Sequence, residues 1–437
     1  MRIPKWVNSP QIGIKAYIAA FCVTVFLAVM LLGVAAFLPQ TAIRNHIADS
    51  LPIIARDLDQ NYLFDNSIGS KIDVGTDLMM LHTSLTTNDR YLGSILANPV
   101  YESDDLSGWE SNEELMARLA YDEPADDVWF YARYWMGFRV VLRLALTFFT
   151  YGQIKRYLSF AFLALFAAVI CSVSKHAGSK IGFLFALSII LVRPHVMATS
   201  MQFTCCFLIA FLAMLLIPWL HRHEKWEGLF FLELGMITMY FDFYTVPLVT
   251  VGFPLLYLQI LKQESGEKVC WKNLLRNLAI WFLGYGFMWI AKLCLTNLLT
   301  SEDALGFGFE SLLSRIGLQK DAELTEYYSL KAAFDGIREA MFSDEVGAVV
   351  YLLGAGIILT VVLYKIMRGH GSFATLRNGA PYLFFAAIPL VWFVITKQPI
   401  ALHYFFQYRT IALTHWAAGV FLYYLLSAKR QELTKTE

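Results

Sequence analysis

Residues 131–151 read YARYWMGFRVVLRLALTFFTY, a mostly apolar stretch that contains three arginines. At 100° per residue, Arg133, Arg139 and Arg143 fall on one side of a helix, and the aromatic and aliphatic side chains fall on the other. An arginine at the centre of a membrane span costs about 2.5–3.5 kcal/mol even on the lenient insertion scale. The stretch therefore predicts an amphipathic helix in the outer membrane interface. Its arginines have two alternative roles: contact with lipid phosphate, or binding of a lipid-linked phosphate.

The composition of the whole chain is that of a polytopic membrane protein. Of its 437 residues, 57% are hydrophobic and 16% are charged, whereas soluble domains carry about 25% charged residues. The formal net charge is zero, so bulk charge gives no reason to expect nucleic acid as a partner. The six cysteines lie in apolar segments or in a predicted cytoplasmic loop, which predicts no disulfide framework.

Apolar runs of about 17–25 residues predict ten membrane-spanning helices. Eight are single runs at 16–38, 157–174, 181–199, 201–220, 274–298, 346–367, 381–396 and 408–427. Residues 228–261 would measure about 51 Å as one helix, well beyond a hydrocarbon core of about 30 Å. We therefore expect two helices there, separated at FDFYTVP, with Asp242 near one membrane face.

The charges of the loops predict the orientation. The segments assigned to the inside hold seventeen Lys or Arg against six Asp or Glu, while 39–128 holds five against seventeen. By the positive-inside rule both termini are cytoplasmic. The chain is then a single all-α membrane domain, residues 1–437, with two large outer loops at 39–154 and 299–345. The second loop contains YYSLKAAFDGIREAMF, a further amphipathic helix.

Candidate acidic residues gather in the first outer loop. Asp57 and Asp59 form a D-x-D pair, a spacing used for metal or sugar binding. Asp73 and Asp77 are four residues apart and would share one face of a helix. Each of the four also has a simpler interpretation as a solvated loop carboxylate. No His, Cys or Asp cluster has metal-ligand spacing, so a divalent cation is left open.

Candidate basic and polar residues lie near the predicted outer ends of spans. KQPIALHYFFQYRTIAL places His403 and Arg409 before the last span, where an arginine fork suits a phosphate or lies at the interface. Gln202 and Asp242 are polar groups at membrane depth, which are functional candidates or helix-to-helix contacts. The sequence contains no Walker loop and no nucleophile elbow, which argues against an ATP-driven pump.

The layout resembles the GT-C class of membrane glycosyltransferases, which includes protein mannosyltransferases and the lipid A aminoarabinose transferase. A first span is followed by a large acidic outer loop, an outer amphipathic helix and the segment RYLSFAFLALFAAVICSVSKHAGSKIGFLFALSIILVRPHVMATSMQF. More narrowly, YARYWMGFRVVLR, TSMQF, MYFDFYTVPLVT and HYFFQYRT look like motifs of poorly characterised bacterial members of this class.

The resemblance implies a transferase in a bacterial plasma membrane. Its donor would be a sugar on an outward-facing polyprenyl-phosphate carrier, and its acceptor a glycan or lipid of the cell envelope. An early outer-loop aspartate would act as the base, and outer basic residues would bind the phosphate. Applied to this sequence, the resemblance assigns the base to one of four aspartates and phosphate or substrate binding to a second set of residues. The candidates are Asp57, Asp59, Asp73 and Asp77 for the base, and Arg133, Arg139, Arg143, His403, Arg409, Asp242 and Gln202 for binding. The alternatives are a transporter or flippase of a lipid-linked or small polar substrate, and an inactive scaffold with the same fold.

Overall fold

The computed structural model describes residues 12–63, 67–85, 91–102, 116–118, 120–121, 127–267, 270–316, 318, 329–342, 349, 364 and 373–427. The predicted span 346–367 therefore lies almost wholly outside the described residues. The first two residues of the predicted amphipathic stretch YYSLKAAFDGIREAMF also lie outside the described residues.

The described chain is all-helical apart from one small sheet, in which β1 (Pro99–Glu102) pairs antiparallel with β2 (Asp127–Phe130). The helices are numbered here in chain order. They are α1 (Ile14–Ala36), α2 (Gln40–Ala48), α3 (Leu51–Asp59), α4 (Val74–Leu85), α5 (Leu92–Ala97), α6 (Phe138–Leu146), α7 (Tyr151–Ala177), α8 (Ser179–Ile190), α9 (Pro194–Thr199), α10 (Met201–Arg222), α11 (Glu227–Phe241), α12 (Leu248–Glu264), α13 (Trp271–Leu299), α14 (Ala304–Arg315), α15 (Leu330–Phe342), α16 (Phe373–Ile395), α17 (Lys397–Gln407) and α18 (Ala412–Ser427).

Four of these helices are long and apolar enough to cross a membrane: α1, α7, α10 and α13. Each coincides with a predicted span. α1 presents a broad apolar face to the outside, with Phe26 62% and Val34 61% exposed. An exposed apolar surface of that extent is unfavourable in water and suits hydrocarbon. The predicted break within 228–261 is confirmed, because α11 ends at Phe241 and α12 begins at Leu248.

An aromatic core joins the middle of the chain to its end. The ring centroid of Phe185 in α8 lies 5.8 Å from that of Phe253 in α12 and 5.0 Å from that of Trp416 in α18. All three side chains are buried. Aromatic pairs at these separations contribute about 0.5–1.5 kcal/mol each beyond their burial. This packing holds the last helix against the middle helices and so brings distant segments to a common end of the bundle.

The helix predicted over 131–151 is shorter than expected and faces the other way. Only α6 is helical before α7 begins, and the chain before α6 turns at Met136, which has φ 54°. Arg139 and Arg143 are buried, while Val141 is 58% and Leu144 51% exposed. The prediction that these two arginines face the headgroup layer is wrong, because protein carbonyls rather than lipid phosphates receive their N–H groups.

Gly137 fixes the junction between this segment and α11. Its N–H donates to the carbonyl oxygen of Tyr240 over 2.8 Å, and a Cβ at this position would lie 2.4 Å from the Tyr240 ring. We expect Gly137→Ala to lower the free energy of unfolding by about 1–3 kcal/mol, because the ring and backbone must move apart. Melting temperature in detergent measures the effect. Gly286→Ala in α13 is the matched control, since nothing lies within 4 Å of its Cβ position; an equal loss in both variants would contradict the close contact.

Candidate functional site

The carboxylate of Asp73 lies at the start of α4. It accepts hydrogen bonds from the Thr76 N–H over 3.1 Å and from the Thr76 hydroxyl over 2.6 Å, an arrangement that caps the helix. Burial raises the pKa of the Asp73 carboxyl, while the Thr76 hydrogen bonds and the charges of His403 and Lys71 act in the opposite direction. Asp73 is therefore a carboxylate held in place by its own helix and poised to take up a proton.

His403 approaches Asp73 from the other end of the chain. It interrupts α17 with non-helical φ −123° and ψ 27°, and its ring stacks on Phe406 with centroids 5.2 Å apart. The side chain reaches the protein surface, although protein atoms surround most of it. Burial by the surrounding protein lowers the pKa of His403, the charge of Asp73 raises it, and the charges of Arg315 and Arg133 lower it further. The imidazole of His403 is thus close enough to one carboxylate and two guanidiniums for their charges to affect its protonation.

The two guanidiniums rest on tyrosines. Arg315, the last residue of α14, donates to the hydroxyl of Tyr134 and lies 4.2 Å above the ring centroid of Tyr244. Arg133 donates to the Tyr131 hydroxyl over 2.6 Å and lies 4.5 Å above that ring. Among the described residues neither guanidinium forms an ion pair. Cation–π contacts hold these cations without neutralising them, which leaves their charge available to an anion.

We call these residues the charged cluster: Asp73, His403, Arg133, Arg315, Tyr131, Tyr134 and Tyr244. Two residues in or next to the cluster have a left-handed backbone: Tyr244, a cluster member, with φ 68°, and Met136, two residues after Tyr134, with φ 54°. A left-handed conformation is uncommon for large side chains. Such strain costs on the order of 1–3 kcal/mol and is concentrated at functional sites. Strain at both positions supports a functional role for the cluster.

Arg139 and Arg143 connect α6 to neighbouring helices through hydrogen bonds. Arg139 donates to the carbonyl oxygen of Ile95 over 2.7 Å. Arg143 donates to the carbonyl oxygens of Ala35 and Ser84 and to the Gln40 side chain. Burial lowers the pKa of both guanidiniums to about 10, so both stay charged at neutral pH. They join α6 to α5, α1 and α4 and do not reach the charged cluster.

Arg409 holds the turn that precedes Asp73. It donates to the carbonyl oxygens of Gly69 over 2.9 Å and of Phe405 over 2.8 Å. Arg193 donates to the hydroxyls of Ser67 and Ser70 in the same turn. Gly69 has no room for a side chain, since a Cβ would lie 2.4 Å from the carbonyl oxygen of Ala340. The predicted phosphate ligand Arg409 is thus used to position the segment that carries Asp73.

Of the other three predicted aspartates, Asp57 and Asp59 show no interaction with the described cluster residues, whereas the charge of Asp73 acts on Asp77. Asp57 is buried and forms ion pairs with Lys155 over 2.6 Å and Arg56 over 2.7 Å. Asp59 is exposed at the end of α3. Asp77 is buried and accepts from the hydroxyl of Tyr151 over 3.0 Å and from the N–H groups of Met201 and Gln202, each over 3.4 Å. The Asp73 and Asp77 carboxylates thus have different partners although they share α4.

Asp77 predicts a pH dependence of stability. Burial raises its pKa to about 6 from the ordinary 3.8, the charge of Lys155 lowers it and that of Asp73 raises it. Since the folded state binds the proton more tightly, the stability from this group is full below about pH 3.8 and is lost as pH rises through about 6. The difference corresponds to roughly 3 kcal/mol. Melting temperature should fall as the pH rises from about 4 to about 6.5.

Asp77→Asn should remove much of that fall, because the amide is neutral at both pH values. Asp59→Asn, at an exposed position, should keep it. An unchanged pH dependence in Asp77→Asn would contradict the assignment.

Gln202 and Asp242 are both buried, at the start of α10 and in the turn after α11. In the described part of the chain, no group of three or more His, Cys, Asp or Glu side chains could hold a metal ion. A divalent cation at the charged cluster stays untested.

The sequence interpretation missed four cluster residues: the three tyrosines and Arg315, which is the charged one. In ALGFGFESLLSR, the residues Ala304, Gly308, Ser311 and Arg315 share one helix face, and Gly308 packs against Leu293 and Trp289 of α13. The Ser311 hydroxyl lies 3.4 Å from Arg133. A helix face of small residues that ends in one arginine predicts close packing of that face against another helix, with the arginine at the end of the contact.

The fold defines an all-α protein with four helices long and apolar enough to cross a membrane. Comparison with protein-family models, with curated proteins and with solved structures finds no match. The charged cluster is therefore the basis for a functional proposal.

Proposed function

We propose that this protein is a glycosyltransferase that moves a sugar from an outward-facing polyprenyl-phosphate carrier to a glycan or lipid of the cell envelope. One observation carries the proposal: His403 lies within electrostatic range of Asp73, Arg133 and Arg315, and no described carboxylate forms an ion pair with either guanidinium. Glycosyl transfer from a phosphate requires this combination of a proton acceptor and stationary positive charge.

The reaction assigns a role to each group. The acceptor hydroxyl oxygen attacks the anomeric carbon, and its proton passes to the Asp73 carboxylate. The bond between the anomeric carbon and the phosphate oxygen breaks, and polyprenyl phosphate leaves with the bonding electrons. Arg133 and Arg315 stabilise the negative charge that develops on the phosphate. His403, beside Asp73, orients the carboxylate and shares its proton.

The positions of the cluster residues support access from the membrane. Arg315 ends α14, which packs along the outer end of α13, a helix long enough to span the membrane. Phe307 is 56% and Phe309 61% exposed on α14. Large exposed aromatics beside a span suit the membrane interface. A carrier lipid in the outer leaflet would then lie within reach of Arg315.

The experiment is a transfer assay with the purified protein. It is incubated with polyprenyl-phosphate sugars and cell-envelope acceptors, and labelled product is measured. The proposal expects transfer with at least one donor and loss of transfer when Asp73 is replaced. Transfer unaffected by the loss of both Asp73 and His403 would remove the proposed chemistry.

A transporter or flippase is the second candidate, and one observation favours it. Thr24 in α1 donates to Glu233 in the middle of α11 over 2.8 Å. Ionisable residues inside spans often line transport paths. Translocation of a fluorescent polyprenyl-phosphate lipid in proteoliposomes, lost in Glu233→Gln and kept in Asp73→Asn, would favour transport over transfer.

A further inference from the structure

A second buried polar site lies in the turn between α11 and α12. Asp242 is 3% exposed. Its Oδ1 atom accepts from the Thr245 N–H over 2.9 Å and from the Thr245 hydroxyl. The Tyr244 N–H and the Cys206 thiol also point towards this carboxylate. Nevertheless, no donor in the described part of the chain reaches Oδ2 with hydrogen-bond geometry.

Two buried glutamines supply further oxygens that no described donor reaches. The Gln407 amide donates through Nε2 to the carbonyl oxygen of Tyr244 over 3.0 Å, which fixes the direction of its Oε1 atom. Gln407 Oε1 and Gln202 Oε1 are buried, and no donor among the described residues reaches either. Gln407 is 1% and Gln202 6% exposed. Buried amide oxygens without a donor are rare in folded proteins.

Contacts between three elements bring these oxygens together. The Cys206 thiol lies 3.5 Å from the Thr245 hydroxyl, and Gln202 lies one helical turn before Cys206 on α10. The rings of Phe203 and Phe406, each next to one of the glutamines, have centroids 5.1 Å apart. Gln407 is bonded to Tyr244, two residues from Asp242. These contacts place Asp242, Gln202 and Gln407 around the start of α10 and the turn after α11.

The chemistry of the region indicates its ligand. It offers one carboxylate oxygen and two neutral amide oxygens, and no described lysine, arginine or histidine forms an ion pair with Asp242. Burial raises the pKa of the Asp242 carboxyl, which reflects the cost of a buried charge without a counter-ion. A water molecule would provide hydrogen bonds but no counter-charge. Oxygen donors suit hard cations, and a single negative charge matches a monovalent one.

We propose that Asp242 Oδ2 and the amide oxygens of Gln202 and Gln407 bind a monovalent cation of the size of sodium. The bound ion would fix the turn that carries Tyr244, and the Tyr244 ring supports the guanidinium of Arg315 at 4.2 Å. Binding of the ion can be tested without transfer activity.

The test is the melting temperature of the purified protein in sodium chloride and in choline chloride at equal ionic strength. Any ligand that binds only the folded state raises stability by mass action. We expect sodium to raise the melting temperature by about 2 °C or more. Asp242→Asn should lose this shift. Asp335→Asn is the matched control and should keep it, since that side chain is 51% exposed.

A second variant keeps the test decisive if Asp242→Asn does not fold. Gln202→Ala should raise the sodium concentration at the midpoint of the shift by about tenfold, which corresponds to 1.4 kcal/mol. The proposal is overturned if sodium and choline give the same melting temperature, the result for a site that holds only water. It is also overturned if the variants that fold keep the full sodium shift.

Discussion

Replacing Asp73 by asparagine should reduce turnover by at least about 100-fold, the usual contribution of a general base. Asparagine can still accept the Thr76 N–H that caps α4 but cannot take a proton from the acceptor hydroxyl. Michaelis constants for the donor should change little, because Asp73 acts on the acceptor. Initial rates of the purified variant with a polyprenyl-phosphate sugar measure the effect.

Asp59→Asn is the matched control for this prediction. Asp59 belongs to the same acidic loop but is exposed and lies at the end of α3, away from the charged cluster. It should keep wild-type turnover. Equal rates in Asp73→Asn and the wild type would reject Asp73 as the base, and a large loss in Asp59→Asn alone would move the base to the D-x-D pair.

Loss of the Arg315 guanidinium should have the second largest effect. Arg315→Gln should lower kcat/KM by about 100-fold or more, comparable to the removal of one charge-stabilising donor from an active site. Arg315→Lys should recover only part of the rate, since an ammonium lacks the planar fork that donates to Tyr134 and stacks on Tyr244. Rates at varied donor concentration separate the effect on binding from that on turnover.

Arg338→Gln is the control for charge alone. Arg338 lies on α15 with a side chain 73% exposed and a surface ion pair to Asp335, which contributes little. It should behave as the wild type. A wild-type kcat/KM in Arg315→Gln would remove the guanidinium from the proposed site. A low kcat/KM supports the site only if the variant keeps the wild-type melting temperature, which excludes misfolding as the cause.

The helical class of the protein could be predicted from apolar run length, because a span must satisfy its backbone internally and cover the hydrocarbon core. The same reasoning placed the break between α11 and α12. The direction of α6 could not be predicted. Its 3.6-residue pattern identifies two faces but does not say whether water, lipid or protein covers the charged one. In the structure Arg143 finds the carbonyl oxygens of Ala35 and Ser84.

Only part of the candidate site could be identified in the same way. Asp73, His403 and Arg133 were among the candidates, and His403 lies within electrostatic range of the other two. Asp57, Arg139 and Arg409 were chosen by the same criteria but contact Lys155 or backbone carbonyls. Residue type and span position identify charges near an outer surface. Whether a charge is already neutralised by a distant partner depends on long-range packing, which periodicity does not contain.

The most direct test of the account is the accessibility of position 403 to a thiol reagent. His403→Cys is made after the six native cysteines are replaced, and intact cells are treated with a membrane-impermeant maleimide. We expect position 403 to be labelled from outside. Polyprenyl phosphate should slow the labelling several-fold, and polyprenol without the phosphate should not. Labelling only after the membrane is permeabilised, or equal rates with and without polyprenyl phosphate, would contradict an outward-facing phosphate site at the charged cluster.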